Sequence, residues 1–307
     1  MNNILRECRL CRATSLDFEV VGDYVYGGND QQKFYRCRFC DVAFLFPPTD
    51  EHQEVKFYAE EFEKFMEIRN AGGDRDWTGP ESHIITNNDQ LLRRLPYLES
   101  AINHDGMKLL ELGCSSGFML LPLRELGLEV KGVEPSGHFT EFVQSKGIPV
   151  YESLEQFKQN DPDVGLLDLI THFFLLEHVR DPLEFLEQCL ELLKPDGKVF
   201  FEVPSRDDPL VTIYNIPAFH DFYWSVAHHW YFNRESLVYL LDQLPCKYEL
   251  IPEQRYDLSN HLWWAIQGKP GGMGKYSEEF TDELDKVYKE SMKKTGHCDS
   301  FFVWLYK

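Results

Sequence analysis

The sequence predicts an α/β protein with a doubly wound, mostly parallel sheet, preceded by a small cysteine-bearing module. The first observation is the stretch Lys108–Phe118, in which a short apolar strand runs into Gly113 and Gly117. The second is that predicted strands alternate with predicted helices from Met107 to about residue 203, the pattern of parallel strands joined by crossover helices. The third is a pair of Cys-x-x-Cys motifs within the first 48 residues. A ligand of such a sheet is expected in the crevice at the carboxyl ends of its strands.

Length and composition limit the class of protein. The 307 residues allow one large domain or two modest ones, and 43% apolar with 27% charged residues is typical of globular proteins. A net charge of −20, from 31 basic and 51 acidic residues, argues against non-specific binding to nucleic acid, which needs a basic face. No stretch is long and apolar enough to span a bilayer, and Met1–Arg6 does not resemble a secretory signal. A soluble cytoplasmic protein with no membrane insertion is therefore expected.

Residues 1–48 are predicted to form a zinc-ribbon module. Cys8-x-x-Cys11 and Cys37-x-x-Cys40 each fit a tight turn that directs two thiolates at one ion. Two such pairs complete a tetrahedral sulfur site that suits Zn²⁺, and four thiolates leave no open position, so a structural ion is predicted. Two redox-active pairs, or chance spacing, are the alternatives. The other four cysteines of the chain are scattered singly, unlike a disulfide framework.

Residues 49–105 are predicted to be a helical linker or cap. Apolar residues recur at helical spacing on both sides of a polar stretch, residues 70–80, which is rich in turn-forming residues. Arg75, Trp77 and His83 lie in or near this stretch. Two interpretations are open: a lid that contacts substrate, or a surface connector.

Residues 106–307 are predicted to form the sheet domain, with a substrate-loop insertion at about 205–233. The predicted strands are Leu109–Leu112, Glu129–Glu134, Pro149–Tyr151, Asp168–Thr171, Lys198–Val203, His261–Ile266 and Phe301–Leu305. The insertion breaks the alternation of strand and helix and is aromatic, polar and rich in histidine. We therefore expect it to determine which substrate binds.

The glycine turn suits a nucleotide-like ligand, but neither a triphosphate nor a dinucleotide. No Gly-Lys-Ser/Thr follows it, which excludes a Walker loop, and Ser115 occupies the middle position of the dinucleotide fingerprint Gly-x-Gly-x-x-Gly. Glu111, on the first strand, is placed to meet an amine or a hydroxyl. Glu134, at the end of the second strand, is placed to accept hydrogen bonds from ribose hydroxyls. A cofactor with a ribose, an amine and a positive charge fits these carboxylates better than a pyrophosphate does.

The stretch Glu111-Leu-Gly-Cys-Ser-Ser-Gly117 resembles the first motif of class I S-adenosylmethionine-dependent methyltransferases, with Ser115 in place of the family's middle glycine. Val133-Glu134-Pro-Ser136 resembles the acidic position on their second strand, and two segments between residues 168 and 197 resemble their later motifs. The resemblance covers most of residues 107–204 and implies a Rossmann-like methyltransferase sheet. The cofactor-binding residues that it implies are Glu111, Gly113, Ser115, Gly117, Phe118 and Glu134. A Rossmann-like fold that binds another ligand is the alternative.

Over the whole chain the sequence resembles the zinc-binding sugar C-methyltransferases, which act on nucleotide-linked deoxysugars. The resemblance rests on the stretch from Tyr35 to Pro48 and on Ala227-His228-His229-Trp-Tyr-Phe232, which stands where the family has His-Glu-His-x-x-Tyr-Phe. His228 matches the family's catalytic histidine, whereas Ala227 replaces its glutamate. The family's long C-terminal domain is not expected, because the last predicted strand ends near Lys307. These departures favour an acceptor atom other than carbon, with oxygen slightly preferred.

The predicted reaction is in-line transfer of a methyl group from a sulfonium to a sugar, nucleotide sugar or glycan-linked small polar acceptor, in carbohydrate biosynthesis. His228 is predicted to be the general base, with His229 or Tyr223 orienting the substrate. Packing of both histidines among aromatic residues is the alternative. Glu177 and His178 are interpreted as structural. Two other functions stay open: methylation of a small molecule that is not a sugar, and a non-catalytic zinc-ribbon adaptor with a degenerate cofactor site.

Overall fold

The computed structural model of the protein describes residues 5–14, 18–71 and 73–307. The start of the N-terminal stretch interpreted above, residues 1–4, lies outside the described residues, as do residues 15–17 of the predicted zinc module and residue 72 of the polar stretch. Within the described ranges, no helix has both the length and the apolar character needed to cross a membrane.

The secondary structure follows the predicted alternation through most of the chain. In chain order, the strands are β1 (Phe18–Gly22), β2 (Lys33–Cys37), β3 (Ala43–Phe46), β4 (Lys108–Leu112), β5 (Glu129–Val133), β6 (Val150–Tyr151), β7 (Leu167–Phe173), β8 (Leu193–Pro204), β9 (Trp230–Tyr231), β10 (Lys247–Glu253) and β11 (Ser300–Tyr306). The α-helices are α1 (Glu51–Lys56), α2 (Phe62–Arg69), α3 (Pro80–Thr86), α4 (Asn88–Ala101), α5 (Leu120–Glu125), α6 (Gly137–Ser145), α7 (Leu154–Asn160), α8 (Pro182–Leu192), α9 (Pro209–Thr212), α10 (Pro217–Tyr223), α11 (Arg234–Leu241), α12 (Leu258–Gln267) and α13 (Asp282–Thr295). A π-helical turn, Phe57–Glu61, joins α1 to α2, and a 3₁₀ turn, Leu176–His178, follows β7.

The larger sheet has seven strands in the order β10-β11-β8-β7-β4-β5-β6. Strand β4 pairs in parallel with both β5 and β7, and β5 pairs in parallel with β6. The chain runs outward from β4 to β6 and then returns to β7 on the other side of β4. The carboxyl end of β4 is therefore the point where the strand order reverses, which is where open α/β sheets bind ligands. The predicted α/β fold with a doubly wound sheet is confirmed.

Strand β4 forms because its apolar residues can be buried on both faces of the sheet. Leu109 and Leu110 are fully buried, and Glu111 lies directly between Gly132 of β5 and Thr171 of β7. A Cβ atom at Gly132 would lie 2.5 Å from the sulfur of Cys114, so this cysteine packs against the bare glycine backbone.

The smaller sheet is four-stranded, in the order β1-β2-β3-β9. Its strands β1, β2 and β3 belong to the predicted zinc module, whereas β9 comes from the segment 205–233 and pairs antiparallel with β3. The buried core beside it is formed by Val25, Phe34, Ala43, Leu45, Leu210, Ile216, Phe219, Tyr223, Trp224, Tyr231 and Trp264. Much of the segment 205–233 is therefore ordered core structure, with two short helices and a strand, where the sequence predicted a loop.

One strand prediction was wrong. Residues 261–266 were predicted as a strand from a short apolar run, but they lie in helix α12. The side chain of Asp257 accepts a hydrogen bond from the Asn260 amide nitrogen at 2.7 Å, and Gly268 ends the helix with a φ of 63°. A short apolar run is compatible with either a strand or a helix, and the Asp257 cap and the left-handed Gly268 favour the helix.

The chain divides into two compact units. The first comprises the described residues of Met1–Asp50 together with Phe174–Leu186 and Glu202–Val303, and it contains the smaller sheet. The second comprises Glu51–Phe173, Glu187–Phe201 and Trp304–Lys307, and it contains strands β4 to β7. The sequence-based boundaries 1–48, 49–105 and 106–307 stay predictions.

Candidate functional site

The turn after β4 is held in a conformation that brings its backbone close to neighbouring groups. Gly113 and Gly117 have φ values of 71° and 73°, a region that glycine adopts without steric cost. The Gly113 amide donates to the carbonyl oxygen of Val133 at 2.8 Å, which joins the turn to the end of β5. A Cβ at Gly117 would lie 3.0 Å from a methyl group of Val143 on α6, so the turn fits tightly against this helix.

Glu134 connects the glycine turn to the end of strand β5. Its Oε2 accepts a hydrogen bond from the Ser115 amide at 2.7 Å, and its Oε1 accepts one from the Ser136 amide at 3.0 Å. The side chain is buried, and burial raises its pKa to about 7, although both backbone hydrogen bonds oppose the shift. The structure therefore holds a buried carboxylate at the carboxyl end of β5, against the glycine turn.

Glu111 is a second buried carboxyl group in the same unit. Its Oε2 has no hydrogen-bond partner among the residues that the structure describes. Burial raises the pKa of Glu111 to about 8, the Arg94 guanidinium opposes this shift, and the Glu134 carboxylate adds to it. A buried acceptor oxygen without a donor is costly, and a ligand that supplies a donor would remove that cost.

Arg94, a residue that no sequence motif indicated, lies on α4 and is 2% exposed. Its guanidinium carbon lies 4.0 Å from the ring centroid of Phe173 and 5.8 Å from that of Phe118. Arg94 stands four residues before the fully buried Leu98, so it shares the apolar face of its helix. The sequence did contain a signal for this residue, because Arg94 is a cationic residue on the apolar face of a predicted helix.

The predicted cofactor residues Glu111, Gly113, Ser115, Gly117 and Glu134 thus come together at the switch point of the sheet, with Phe118 next in the chain. They fit S-adenosylmethionine, the cofactor that the sequence resemblance implies. Glu111 offers an acceptor oxygen for an amine, Glu134 lies where ribose hydroxyls would be bound, and the glycines let the backbone approach a ligand. Which of these atoms contacts the cofactor stays a prediction.

Helix α3, which follows the polar stretch, contacts this turn through His83. The His83 Nδ1 atom lies 2.8 Å from the Ser116 hydroxyl oxygen, and the imidazole is 2% exposed. Burial lowers the pKa of His83 to about 4, so the ring is neutral at physiological pH. The ring of Trp77 lies 4.5 Å from that of His83, while Arg75 binds Asp89 with two hydrogen bonds of 2.6 and 2.8 Å. His83 therefore contacts the turn and Trp77 packs against His83, whereas Arg75 stabilises the local fold through Asp89.

The four N-terminal cysteines form a compact cluster in the other unit. The Cys8 and Cys40 sulfurs are 3.7 Å apart, as are those of Cys11 and Cys37, and all four lie within 4.8 Å of one another. Tetrahedral Zn²⁺ with bonds of about 2.3 Å places its sulfur ligands about 3.8 Å apart. The donor set and its spacing fit zinc.

Each Cys-x-x-Cys pair forms the same backbone turn. The amide of Cys8 donates to the carbonyl oxygen of Ala13, and the amide of Cys37 donates to that of Val42, both at 2.9 Å. The amide four residues after each of these cysteines donates back to the cysteine's own carbonyl oxygen, and Arg12 and Asp41 have φ values of 59° and 62°. Two equivalent turns therefore present the four thiol groups.

The predicted catalytic residues lie in the same unit as the cysteines. The ring centroid of His228 is 4.7 Å from that of His178 and 4.9 Å from that of Tyr231. His229 is buried, and its amide donates to the Glu177 carbonyl oxygen at 2.8 Å. The structure thus brings His228 beside Glu177 and His178, which were interpreted as structural from the sequence.

His229 and Tyr223 make the kinds of contacts that buried core residues make. The His229 Nδ1 atom lies 3.5 Å from an Arg9 guanidinium nitrogen. Tyr223 belongs to the core beside the smaller sheet, and its hydroxyl donates to the Ser205 carbonyl oxygen at 2.6 Å. A substrate-orienting role for these two residues stays a prediction.

Comparison with known proteins identifies the family. A family model described as a methyltransferase domain matches residues 82–248, more than half of the chain. A ubiquinone biosynthesis O-methyltransferase from Xanthomonas oryzae pv. oryzae is 27% identical over 155 residues, covering 49% of this chain and 63% of that protein. One of the same name from Xanthomonas euvesicatoria pv. vesicatoria is 28% identical over 157 residues, with the same coverage. The chain therefore spans less than two thirds of the length of these curated relatives.

Among solved structures, the plantazolicin methyltransferase BamL, in complex with a triazolic desmethylPZN analog and SAH, superposes with a TM-score of 0.51. The match covers 83% of this chain and 94% of that one at 13% sequence identity. At this identity the likeness shows the fold alone.

Proposed function

The chain belongs to the methyltransferase-domain family of S-adenosylmethionine-dependent enzymes, and we propose that it methylates a hydroxyl group of a sugar, nucleotide sugar or glycan-linked small polar acceptor. The observation that carries the cofactor part of the proposal is the arrangement of Glu111 and Glu134 around the glycine turn. The acceptor part is supported by the cysteine cluster and by the resemblance around His228 to sugar methyltransferases.

The residues of the turn would bind and orient the cofactor. When bound, S-adenosylmethionine supplies a methyl group on a positively charged sulfonium. Glu134 would accept hydrogen bonds from the ribose hydroxyls, and the Glu111 carboxyl group would accept one from the amino group. Arg94 stabilises a negative charge on Glu111, and His83 holds the turn through Ser116. Precise orientation of the reacting atoms is the main contribution that an enzyme makes to such a transfer, up to about 7–11 kcal/mol.

His228 is the residue that we propose to accept the proton of the acceptor hydroxyl. Histidine has an ordinary pKa of about 6.5, which suits a general base near neutral pH. The His229 amide and the Glu177 carbonyl group fix the backbone on one side of His228. His229 and Tyr223 are proposed as supports of this segment, with substrate orientation as their further predicted role.

The cysteine cluster is proposed to bind one structural Zn²⁺. The ion would join the two equivalent turns at Cys8 and Cys37, and four thiolates would leave it no open position. Its contribution would be to the stability of the first unit, because a segment with little core of its own gains folding free energy from metal binding.

Methylation of a small molecule that is not a sugar is the second candidate. The names of the curated relatives favour it, since both are called ubiquinone biosynthesis O-methyltransferases. Those names also favour oxygen over carbon as the acceptor atom, in agreement with the replacement of the glutamate of the sugar C-methyltransferase motif by Ala227.

The test is turnover with labelled S-adenosylmethionine against a panel of nucleotide sugars, glycans and phenols, with the methylated atom located by NMR. The proposal predicts a methyl ether on a sugar and loss of turnover in His228→Ala while cofactor affinity is unchanged. A methylated phenol as the sole product would favour the second candidate. If calorimetry detected no binding of S-adenosylmethionine, the non-catalytic adaptor would replace both.

A further inference from the structure

A cluster of three side chains in the first unit has the composition of a metal site. Glu177 and His178 end the 3₁₀ turn Leu176–His178, and His228 precedes β9. One ligand atom from each of the three residues lies within 4.8 Å of the other two. The rings of His178 and His228 are perpendicular, with their centroids 4.7 Å apart. Two imidazoles and one carboxylate are therefore gathered in one place.

Glu177 is the strongest indication that a cation belongs there. The residue is 1% exposed, and its Oε2 has no hydrogen-bond partner in the described part of the chain. The guanidinium of the nearby Arg255 is directed to Asp299, with an Nε–Oδ1 distance of 2.9 Å. A buried carboxylate without a donor is costly, and an ion bound by it would offset that cost.

The hydrogen bonding of His178 prepares it as a ligand. Its Nδ1 atom lies 2.8 Å from the carbonyl oxygen of Ala227. A carbonyl oxygen can only accept, so Nδ1 carries the proton and Nε2 holds the lone pair. Metal-binding histidines commonly donate their other ring N–H to a carbonyl group in this way, which fixes both the tautomer and the ring orientation. The Nε2 atom lies 3.9 Å from the Oε1 atom of Glu177.

The two segments that carry the cluster are tied together by backbone groups. The amide of His229 donates to the carbonyl oxygen of Glu177 at 2.8 Å, and the Trp230 indole N–H donates to that of Val179 at 2.7 Å. Around an ion with bonds of about 2.1 Å, ligand atoms are about 3.0–3.4 Å apart. The three ligand atoms, which lie within 4.8 Å of one another, are therefore up to about 1.8 Å further apart than in such a complex, and binding of an ion would draw them together.

We propose that Glu177, His178 and His228 form a binding site for one divalent transition-metal ion, separate from the cysteine cluster. Imidazole and carboxylate ligands suit Zn²⁺, Co²⁺ and Ni²⁺ better than Mg²⁺ or Ca²⁺, which prefer oxygen alone. Three protein ligands leave an open coordination position, unlike the four thiolates. The site does not depend on the proposed function. A bound ion would occupy the lone pair of His228 that was assigned above to the acceptor proton, so metal is expected to inhibit methyl transfer.

The test is titration of Co²⁺ into the zinc-loaded full-length protein, with metal content measured before and after. We expect one additional equivalent of Co²⁺, with visible d–d absorption and without sulfur-to-metal charge transfer, because no thiolate takes part. Glu177→Gln, which preserves the shape of the side chain, and His228→Asn should each abolish the additional equivalent and keep the zinc of the cysteine cluster. His220→Ala removes a histidine of the same segment that pairs with Asn215, and it should bind Co²⁺ like the wild type.

Binding of Co²⁺ by the cysteines alone, or retention of the additional equivalent in both Glu177→Gln and His228→Asn, would overturn the metal site. Near-UV circular dichroism of Glu177→Gln verifies that the fold is intact, so that loss of metal reports on ligation. A separate turnover assay of His228→Ala, with the zinc of the cysteine cluster retained and no Co²⁺ added, distinguishes this proposal from the proposed function. Full activity there with Co²⁺ binding intact in the wild type refutes the base and supports the metal site. Loss of activity without any Co²⁺ binding in the wild type does the reverse.

Discussion

The two units each hold a buried glutamate whose Oε2 atom has no donor within the described residues, and the groups around the two carboxylates differ. Glu111 is 2% exposed and is influenced by the guanidinium of Arg94, whereas Glu177 is 1% exposed and lies beside the imidazoles of His178 and His228. A buried carboxyl group beside a guanidinium suits a ligand with an amine or hydroxyl group. A carboxylate beside two imidazoles suits a cation. Burial of a carboxyl group marks both residues as candidate binding sites. The neighbouring groups indicate which kind of ligand each would bind.

The largest expected effect is removal of the predicted zinc from the first unit. Cys37→Ser deletes one of four thiolates, and we expect the zinc content to fall from one ion per chain to none, with a lower melting temperature. Binding free energy of a structural zinc is about 10–16 kcal/mol in small peptides, so the loss is expected to be severe. Metal analysis and thermal unfolding measure it. Cys246→Ser, which removes a lone half-buried thiol, is the control and should keep both values.

The second prediction concerns the pH dependence that Glu111 gives to the second unit. The pKa of its carboxyl group is raised from 4.5 to about 8 by burial. Between these values the folded protein keeps a proton that the unfolded chain has released. The free energy of unfolding should therefore fall as pH rises through this window, by about 5 kcal/mol at most in the absence of ligand.

Urea unfolding of Glu111→Gln at several pH values is the measurement. The variant should lose part of the decline between pH 5 and pH 8, because glutamine does not titrate. The remainder should persist, because burial also raises the pKa values of Glu134 and Glu177. Glu129→Gln, at the exposed start of β5, should keep the decline of the wild type. An unchanged decline in Glu111→Gln would mean that this carboxyl group is not the source.

The third prediction tests the Glu134 carboxylate as a cofactor ligand. Glu134→Gln removes the charge and one acceptor, and hydrogen bonds to charged groups contribute about 1.5–3 kcal/mol. We expect the affinity for S-adenosylmethionine to fall about 10- to 100-fold by calorimetry. Glu129→Gln on the same strand serves as the control. Equal affinities of Glu134→Gln and the wild type would remove Glu134 from the site.

The last prediction distinguishes a steric clash from backbone strain at the glycine turn, and its expected effect is the smallest. Gly117→Ala and Gly147→Ala both place a Cβ at positive φ, 73° and 80°, but only the first meets a neighbour, the Val143 methyl group at 3.0 Å. Both should lose about 1 kcal/mol of stability from the conformation. Only Gly117→Ala should also weaken cofactor binding, by about threefold to tenfold, because the turn must shift. Equal cofactor affinities in the two variants would contradict this account of the turn.

The sequence predicted the second unit more completely than the first, for a physical reason. The residues of the glycine turn are consecutive, and Glu134 ends the next strand, so local patterns and the rules of parallel sheets bring them together. The cysteine pairs could also be predicted from the sequence, because each pair lies within one short turn. Arg94 escaped detection since it reaches the turn from a preceding helix, although its place on an apolar helical face was visible in the sequence.

The cluster of Glu177, His178 and His228 could not be predicted in the same way. Its members come from segments 50 residues apart, Glu177 to His228 being 51 and His178 to His228 being 50. They meet through pairing of segments that no local pattern specifies. Helix α12 was missed for a different reason, because a run of five apolar residues suits either a strand or a helix and the caps at Asp257 and Gly268 were not used.

Glu111, the glycine turn and Glu134 are proposed to bind S-adenosylmethionine at the switch point of the sheet. A crystal structure with S-adenosylhomocysteine would locate the ligand. We expect both ribose hydroxyls within about 2.5–3.2 Å of the Glu134 carboxylate and the ligand's amino group within hydrogen-bond distance of Glu111. A ligand bound elsewhere, or one whose ribose does not contact Glu134, would contradict this proposal.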